Sequence, residues 1–314
     1  ERRDWELASL EKTDGCVYRA TAAYIADAAR KDQVHISARG SMAASFAAYL
    51  LGITGINPLP AHYSCPDCKY SEFYGEADFY IGEDLPDKVC PVCGRPLKKS
   101  GFNLVKETYF GANGEKTPVV DLSIPDSYRA AAVAHLEELF GPGKAIRAGS
   151  CHHSEDAVDD VHPGKYFILP ADRDIAEFCD VVEIDGEWVT GINYRSLSGE
   201  LMAVDLLPCY RHGFLSGLER GTGVQIADIP LNEAEALEIV GRNDLCCAFS
   251  DVKPQTMSDL IRIQGCGHST YSDGQDTKKQ YKLSELVCTR DDIVNVLTGT
   301  PTSREDAVEF MRLV

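Results

Sequence analysis

Four cysteines carry the most specific chemistry in the chain. Cys65-Pro66-Asp67-Cys68 and Cys90-Pro91-Val92-Cys93-Gly94 are two C-x-x-C turns. Each such turn aims two thiolates at one point, and the pair makes a tetrahedral site for Zn²⁺. The surrounding segment, Asn57 to Leu97, holds Pro58, Pro60, Pro66, Pro86, Pro91 and Pro96 and shows no helical period. A loop-rich module of this kind depends on its metal to fold. With all four positions taken by protein, the site is structural rather than catalytic; the competing reading is a redox pair or four unrelated thiols. Cys16, Cys151, Cys179, Cys209, Cys246, Cys247, Cys266 and Cys288 show no ligand spacing. Cys151-His152-His153 with His162 offers a second candidate metal site, but a solvated polar loop is the plainer reading, because adjacent ligands rarely converge without supporting partners.

Two further patterns concern phosphate and divalent cations. Arg39-Gly40-Ser41 stands where a short strand hands over to a helix. Gly allows close backbone approach, free N–H groups and the helix dipole face an anion, and Ser and Arg add a donor and a counter-charge. A packed turn with a capping serine is the plainer reading of the same tripeptide. Asp121 lies in Val119-Val120-Asp121-Leu122, and Asp205 in Met202-Ala203-Val204-Asp205-Leu206-Leu207. An acid in an apolar strand is costly unless it is paired, hydrogen-bonded or bound to a metal. Nucleotidyl transfer uses strand-borne carboxylates of this type to hold two divalent ions about 4 Å apart.

The elements that must position these residues alternate along the chain. Apolar spacing predicts two helices within residues 4–31, broken at Thr13-Asp14-Gly15. A short strand from Val34 runs into the Arg39-Gly40-Ser41 turn, and an apolar helix is expected from Met42 to Leu51. Thr117 to Ile124 reads as a buried strand, followed by a helix from Ser127 to Phe140 that ends at Gly141-Pro142-Gly143. Tyr166–Leu169, Val181–Ile184, Trp188–Ile192 and Leu201–Leu207 read as strands, with Asp185-Gly186 as a hairpin signal. Beyond Pro208 the pattern is helical: one helix opens at Asn232-Glu233-Ala234-Glu235, and others span Asp291–Leu297 and Ser303–Leu313. The fold class is α+β.

The chain has 314 residues, enough for about two domains. Its 31 basic and 49 acidic side chains leave a net charge of −18. That balance excludes a surface that binds nucleic acid nonspecifically, so any such contact is weak, local or metal-mediated. No apolar run is long enough to span a membrane, no signal peptide opens the chain, and many thiols without a secretion signal point to a reducing, cytosolic setting. The missing initiator Met reads as a piece of something longer.

Long stretches resemble the catalytic α subunit of bacterial DNA polymerase III of the C type, PolC. They are Ala38–Ser45, Ile53–Tyr63, Cys65–Phe73, Asp84–Gly94, Gly114–Leu122, Phe140-Gly141 with Arg147–Gly149, His162-Pro163-Gly164, the Asp205 strand, Met257–Gly265 with His268, and Leu283–Ile293. The resemblance implies a DNA polymerase β-like nucleotidyltransferase palm over residues 1–207, with a zinc-ribbon-like module inserted at 62–98, followed by a mainly helical fingers-like domain over 208–314. It implies that Arg39, Gly40 and Ser41 bind triphosphate, that Cys65, Cys68, Cys90 and Cys93 hold zinc, and that Asp121 and Asp205 hold Mg²⁺ or Mn²⁺. In the family three aspartates hold two ions, two of them as Asp-x-Asp. Here the first of that pair is replaced by Val119. The family also carries a longer, DNA-gripping thumb segment between the counterparts of Gly149 and His162; here the bridge is short and acidic, with Glu155, Asp156, Asp159 and Asp160.

Three functions follow. The leading one is a reduced bacterial relative that has lost polymerisation and serves as a scaffold binding a nucleotide, a DNA end or a protein. The second is a live Mg²⁺-dependent nucleotidyltransferase, which needs a replacement ligand from Ser123, Asp126 or Glu107. The third is a zinc-containing interaction protein with a basic partner.

Overall fold

The computed structural model describes residues 1–75, 79–151, 158–231, 233–242, 254–269 and 287–313. Helices α1 (Arg2–Lys12) and α2 (Gly15–Lys31) precede the two-residue strand β1 (Ser37–Ala38), a 3-10 turn over Gly40–Ala44, and α3 (Phe46–Leu50). Strands β2 (His62–Ser64), β3 (Ser71–Phe73) and β4 (Lys98–Ser100) lead to α4 (Glu107–Phe110). Then come β5 (Val120–Ile124), α5 (Arg129–Phe140), β6 (Ala145–Ser150), β7 (Asp160–Ile168), β8 (Val181–Ile184), β9 (Glu187–Asn193), α6 (Tyr194–Leu197) and β10 (Met202–Pro208). Helices α7 (Tyr210–Thr222), α8 (Ala234–Arg242), α9 (Met257–Ser269), α10 (Arg290–Thr298) and α11 (Arg304–Leu313) complete the described elements.

By compactness the chain divides into one unit of residues 1–55 with 114–228 and another of 56–113 with 229–314. This division and the sequence-based spans cut the chain differently: residues 208–228, including α7, fall in the first unit, and the cysteine module falls with residues 229–314.

The first unit is built on a seven-stranded mixed sheet in the order β1-β5-β10-β7-β6-β9-β8. The pairs β5–β10 and β6–β9 are parallel, and the others are antiparallel. Alternation along the strands separates the two faces. Val120, Leu122 and Ile124 of β5 and Val204 and Leu206 of β10 are fully buried, while Asp121, Ser123 and Asp205 face the other way and are half-buried. Helices α2 and α5 pack on the apolar face. In α2, Ala22, Ile25, Ala26 and Ala29 are buried at helical spacing, and in α5 Ala132 and Leu136 do the same. Each large apolar side chain buried there stabilises the fold by about 1.5–3 kcal/mol. Among the described residues no helix is long and apolar enough to cross a membrane.

The single helix expected from Met42 to Leu51 is instead a 3-10 turn and a short α-helix. Ser45 takes an extended conformation and caps α3, accepting from the Ala48 N–H at 3.2 Å. The buried carboxylate of Glu6 accepts from the Phe46 and Ala47 N–H groups at 2.9 Å each and from Ser45 Oγ at 2.9 Å. These bonds satisfy the free N–H groups that a break leaves behind. Strand β6 was not expected either. Ala145-Ile146-Arg147-Ala148-Gly149-Ser150 is a weak strand former, and pairing between β7 and β9 is what holds it. A Cβ on Gly149 would lie 2.3 Å from the Thr190 carbonyl oxygen, so only glycine admits that approach.

In the second unit, β3-β2-β4 form a small antiparallel sheet. Asp84 accepts from the N–H groups of Met257 (2.9 Å) and Ser258 (3.1 Å), anchoring the start of α9. Val294 of α10 and Ala307, Val308 and Met311 of α11 are buried with Val105. Asp292 closes a capping box with Thr289 and accepts from the Tyr80 hydroxyl at 2.8 Å. Glu107 accepts from Arg304 Nε at 2.9 Å and from Lys106 Nζ at 2.6 Å. Burial works against its charge, but these two cations outweigh it and hold the carboxyl down to about 2. Replacing Glu107 with Gln is expected to cost about 1–3 kcal/mol at neutral pH. Because the folded-state value is depressed, that contribution is lost as pH falls from about 4.5 to about 2, and thermal melts of wild type and Glu107→Gln should converge across this window.

Candidate functional site

Strands β5 and β10 run parallel with Asp121 directly opposite Asp205. Across β10 on its other side, Lys165 of β7 is the antiparallel partner of Asp205. Three charged side chains thus form a row across the open face of the sheet. Lys165 Nζ donates to Asp205 Oδ2 at 2.6 Å, with the two side chains 14% and 17% exposed. The other oxygen of Asp205, Oδ1, and Oδ1 of Asp121 are buried and have no hydrogen-bond partner. Burial first, and the neighbouring Asp205 second, push the Asp121 carboxyl up; Arg39 and Lys165 act in the opposite direction. Two lone-pair oxygens left bare on adjacent strands are a donor set that fits a divalent cation.

The Arg39-Gly40-Ser41 turn lies against this row. The Arg39 N–H donates to the Asp121 carbonyl at 2.9 Å, and β1 pairs with β5 so that Ala38 faces Leu122. Gly40 has φ of +55°, and a Cβ there would sit 3.6 Å from Asp121 Oδ2. The sequence led to the expectation of a long helix starting at this turn, with its dipole directed at an anion. The 3-10 turn of Gly40–Ala44 supplies little of that dipole, which leaves the Arg39 side chain and the Ser41 hydroxyl as donors. Neither makes a side-chain hydrogen bond among the described residues.

Val119 immediately precedes β5 and is 38% exposed. Among the described residues no third carboxylate, imidazole or thiol joins Asp121 and Asp205 to make a group of three ligands. The three replacements considered from sequence are placed differently. Glu107 is committed to Arg304 and Lys106 in the second unit. Asp126 is exposed and pairs with Arg129. Ser123 lies two residues along β5 from Asp121, on the same face of the strand.

Sequence reasoning missed Lys165 and the residues that fix it. His162 Nδ1 accepts from the Gly164 N–H at 3.3 Å and the Lys165 N–H at 3.0 Å, which pins the backbone where the lysine starts. Burial lowers the His162 imidazole below its ordinary value, with Asp205 opposing, and the ring packs edge-on against Tyr194 at 4.8 Å. Lys165 Nζ lies 5.6 Å from the centre of the same Tyr194 ring. A Cβ on Gly164 would lie 2.3 Å from the Leu206 carbonyl oxygen, so β7 can approach β10 this closely only with glycine there. The only sequence signal was a lysine beginning an apolar run after His162-Pro163-Gly164.

In the second unit the Sγ atoms of Cys65, Cys68, Cys90 and Cys93 all lie within 4.8 Å of one another. Sγ of Cys65 is 3.4 Å from Cys93 and Sγ of Cys68 is 3.5 Å from Cys90, too long for disulfides and close to the ~3.8 Å edge that 2.3 Å zinc–sulfur bonds imply. The two turns match. Lys69 N–H donates to the Cys65 carbonyl and Gly94 N–H to the Cys90 carbonyl, and Lys69 and Gly94 both have positive φ, +63° and +72°. Backbone N–H donation from Cys68 favours the Cys65 thiolate and lowers its pKa to about 7. The four cysteines can hold a metal such as zinc. The other proposed cluster cannot be described in the same way: Cys151 is half-buried, and His152 and His153 lie outside the described residues, as do Glu155, Asp156, Cys246 and Cys247.

A mixed sheet with helices on one face and paired aspartates on the other fits a polymerase palm-like domain. The family model described as "Bacterial DNA polymerase III alpha NTPase domain" matches residues 1–207, and the chain belongs to that family. Over its whole length it is 30% identical to a protein of Caldanaerobacter subterraneus named DNA polymerase III PolC-type, covering 27% of that protein. The PolC-type polymerase of Clostridium perfringens is 28% identical over 100% of the chain and 26% of the relative, and that of Bacillus subtilis 29% identical over 89% and 24%. The chain spans about a quarter of the length of these relatives.

Two measurements test this geometry. Gly40→Ala should lower stability by about 1 kcal/mol or more in denaturant titration, since alanine at positive φ is strained. Purified protein should carry one zinc per chain by elemental mass spectrometry, and Cys90→Ser should lose it and become sensitive to proteolysis within Asn57–Leu97.

Proposed function

We propose that this chain is a palm of the DNA polymerase III PolC type that binds a nucleoside triphosphate or a nucleic-acid end without transferring nucleotides. The observation that carries this reading is the incomplete row: Asp121 and Asp205 face each other beside the Gly40 turn, while position 119, two residues before Asp121, is valine. An isopropyl group offers no ligand, so the row is one carboxylate short of the set that holds two divalent ions for in-line transfer. Arg39, Gly40 and Ser41 are the proposed triphosphate contacts. Cys65, Cys68, Cys90 and Cys93 are the proposed structural zinc ligands of a ribbon-like module at 62–98. Residues 1–207 form the proposed palm and 208–314 a fingers-like helical part.

Two features support weak nucleic-acid contact. The net charge is −18. The aligned stretch of 383 residues with the Caldanaerobacter relative is also longer than this chain's 314, so the relative has residues here that the chain lacks. Ser150 of β6 pairs opposite Asp160 of β7, at the two ends of the bridge in which this reading puts the missing segment.

A second reading, a live Mg²⁺-dependent nucleotidyltransferase, is favoured by the bare Oδ1 atoms of Asp121 and Asp205. Primer extension with Mg²⁺ or Mn²⁺ separates the two. The scaffold reading expects no extension above that of Asp205→Asn. It also expects a triphosphate to raise the melting temperature of wild type and not of Arg39→Ala. Extension that Asp205→Asn abolishes would establish the second reading instead.

A further inference from the structure

We propose that Lys165 is a tethered cation: its ammonium occupies Asp205 Oδ2 and so opposes the binding of a divalent ion by the Asp121–Asp205 row. The inference rests on reading the row as a palm-type cation site. Asp205 has two oxygens, and they are used differently. Oδ2 receives Lys165 Nζ at 2.6 Å, while Oδ1 is buried and unpartnered, like Oδ1 of Asp121 on the adjacent strand. One oxygen of Asp205 is thus engaged by Lys165 of β7, and one oxygen on each aspartate is left bare.

Lys165 is not a surface lysine that drifts into contact. Its register opposite Asp205 is set by the β7–β10 ladder. Its N–H is held by His162 Nδ1, its stem is largely buried, and its ammonium lies near the Tyr194 ring. A fixed ammonium this close to a carboxylate repels a divalent ion approaching the same oxygen, in surroundings less screening than bulk water. It also supplies, without any ligand, part of the positive charge that two adjacent carboxylates require.

Mn²⁺ binding to the zinc-loaded full chain, followed by loss of the free-ion electron paramagnetic resonance signal, tests this. Lys165→Met keeps the apolar stem and removes the charge. It is expected to bind Mn²⁺ at least about tenfold more tightly than wild type, and Asp205→Asn in that background should abolish the gain. Without metal, Lys165→Met should melt below wild type, and Mn²⁺ should restore it. Lys165→Arg retains the charge and should match wild type in Mn²⁺ binding. Unchanged affinity in Lys165→Met would overturn the inference, and so would Lys165→Arg behaving like Lys165→Met. Primer extension by wild type would defeat the scaffold reading while leaving these binding measurements to stand or fall separately.

Discussion

Two carboxylates set side by side on neighbouring strands repel each other, and much of the first unit is arranged around that constraint. The parallel register of β5 and β10 leaves Asp121 and Asp205 no alternative placement, because a one-residue slip of either strand would send its own aspartate into the apolar layer against α2 and α5. The core thus fixes the repulsion in place. Burial of Val120, Leu122, Val204 and Leu206 on one face is what forces two acids together on the other. What relieves it within the chain is positive charge from the flanks: Lys165 from β7 on one side, and Arg39 from the turn beyond β1 on the other.

The flanks are themselves rigidly held, by short-range devices that are nearly all polar. Glu6 on α1 takes up the N–H groups freed where the chain breaks at Ser45, so the segment after the Gly40 turn is tied to a helix far away in sequence. On the opposite side, Gly164 lets β7 approach the Leu206 carbonyl, and His162 holds the backbone at the lysine. These contacts are between groups that would be costly to bury alone, so losing one partner costs more than the bond itself was worth. The second unit uses the same device. Asp84, Asp292 and Glu107 each bind a segment distant in sequence, and in the proline-rich module two cysteines of the thiol cluster join a small apolar core with Ala61, Tyr63, Leu85 and Leu97.

What was legible in the sequence is what depends on neighbours along the chain. The Asp185-Gly186 hairpin is there, with φ of +53° and +81° and Ile184 opposite Glu187. The break between α1 and α2, the apolar face of α2, and the paired C-x-x-C turns are equally local. The illegible parts depend on partners far away. Nothing within Ala145–Ser150 marks a central strand, since its burial comes from β7 and β9. The helix expected at Met42 breaks because of a glutamate on another helix. That two apolar strands carry acids could be read from alternation, but that β5 and β10 are adjacent, parallel and in register could not. Lys165 was hidden for the same reason: its significance lies in which strand it faces.

The charge of the row connects these points. In the family's pattern, three carboxylates with two divalent ions leave an excess of one positive charge to meet a triphosphate. Here two carboxylates and one ammonium leave a deficit of one, and a single divalent ion would restore the same excess. Val119 and Lys165 act in compensating directions: the first brings no acid to the row, and the second brings a base. On the proposed reading, the attraction of the site for an anion would be preserved with a single ion bound. What is not preserved is geometry, because in-line transfer needs one ion on the attacking oxygen and another on the leaving one, and an ammonium fixed to Asp205 can polarise neither as a metal does. On the proposed reading, a row with this composition would keep the attraction for phosphate and give up the clamp.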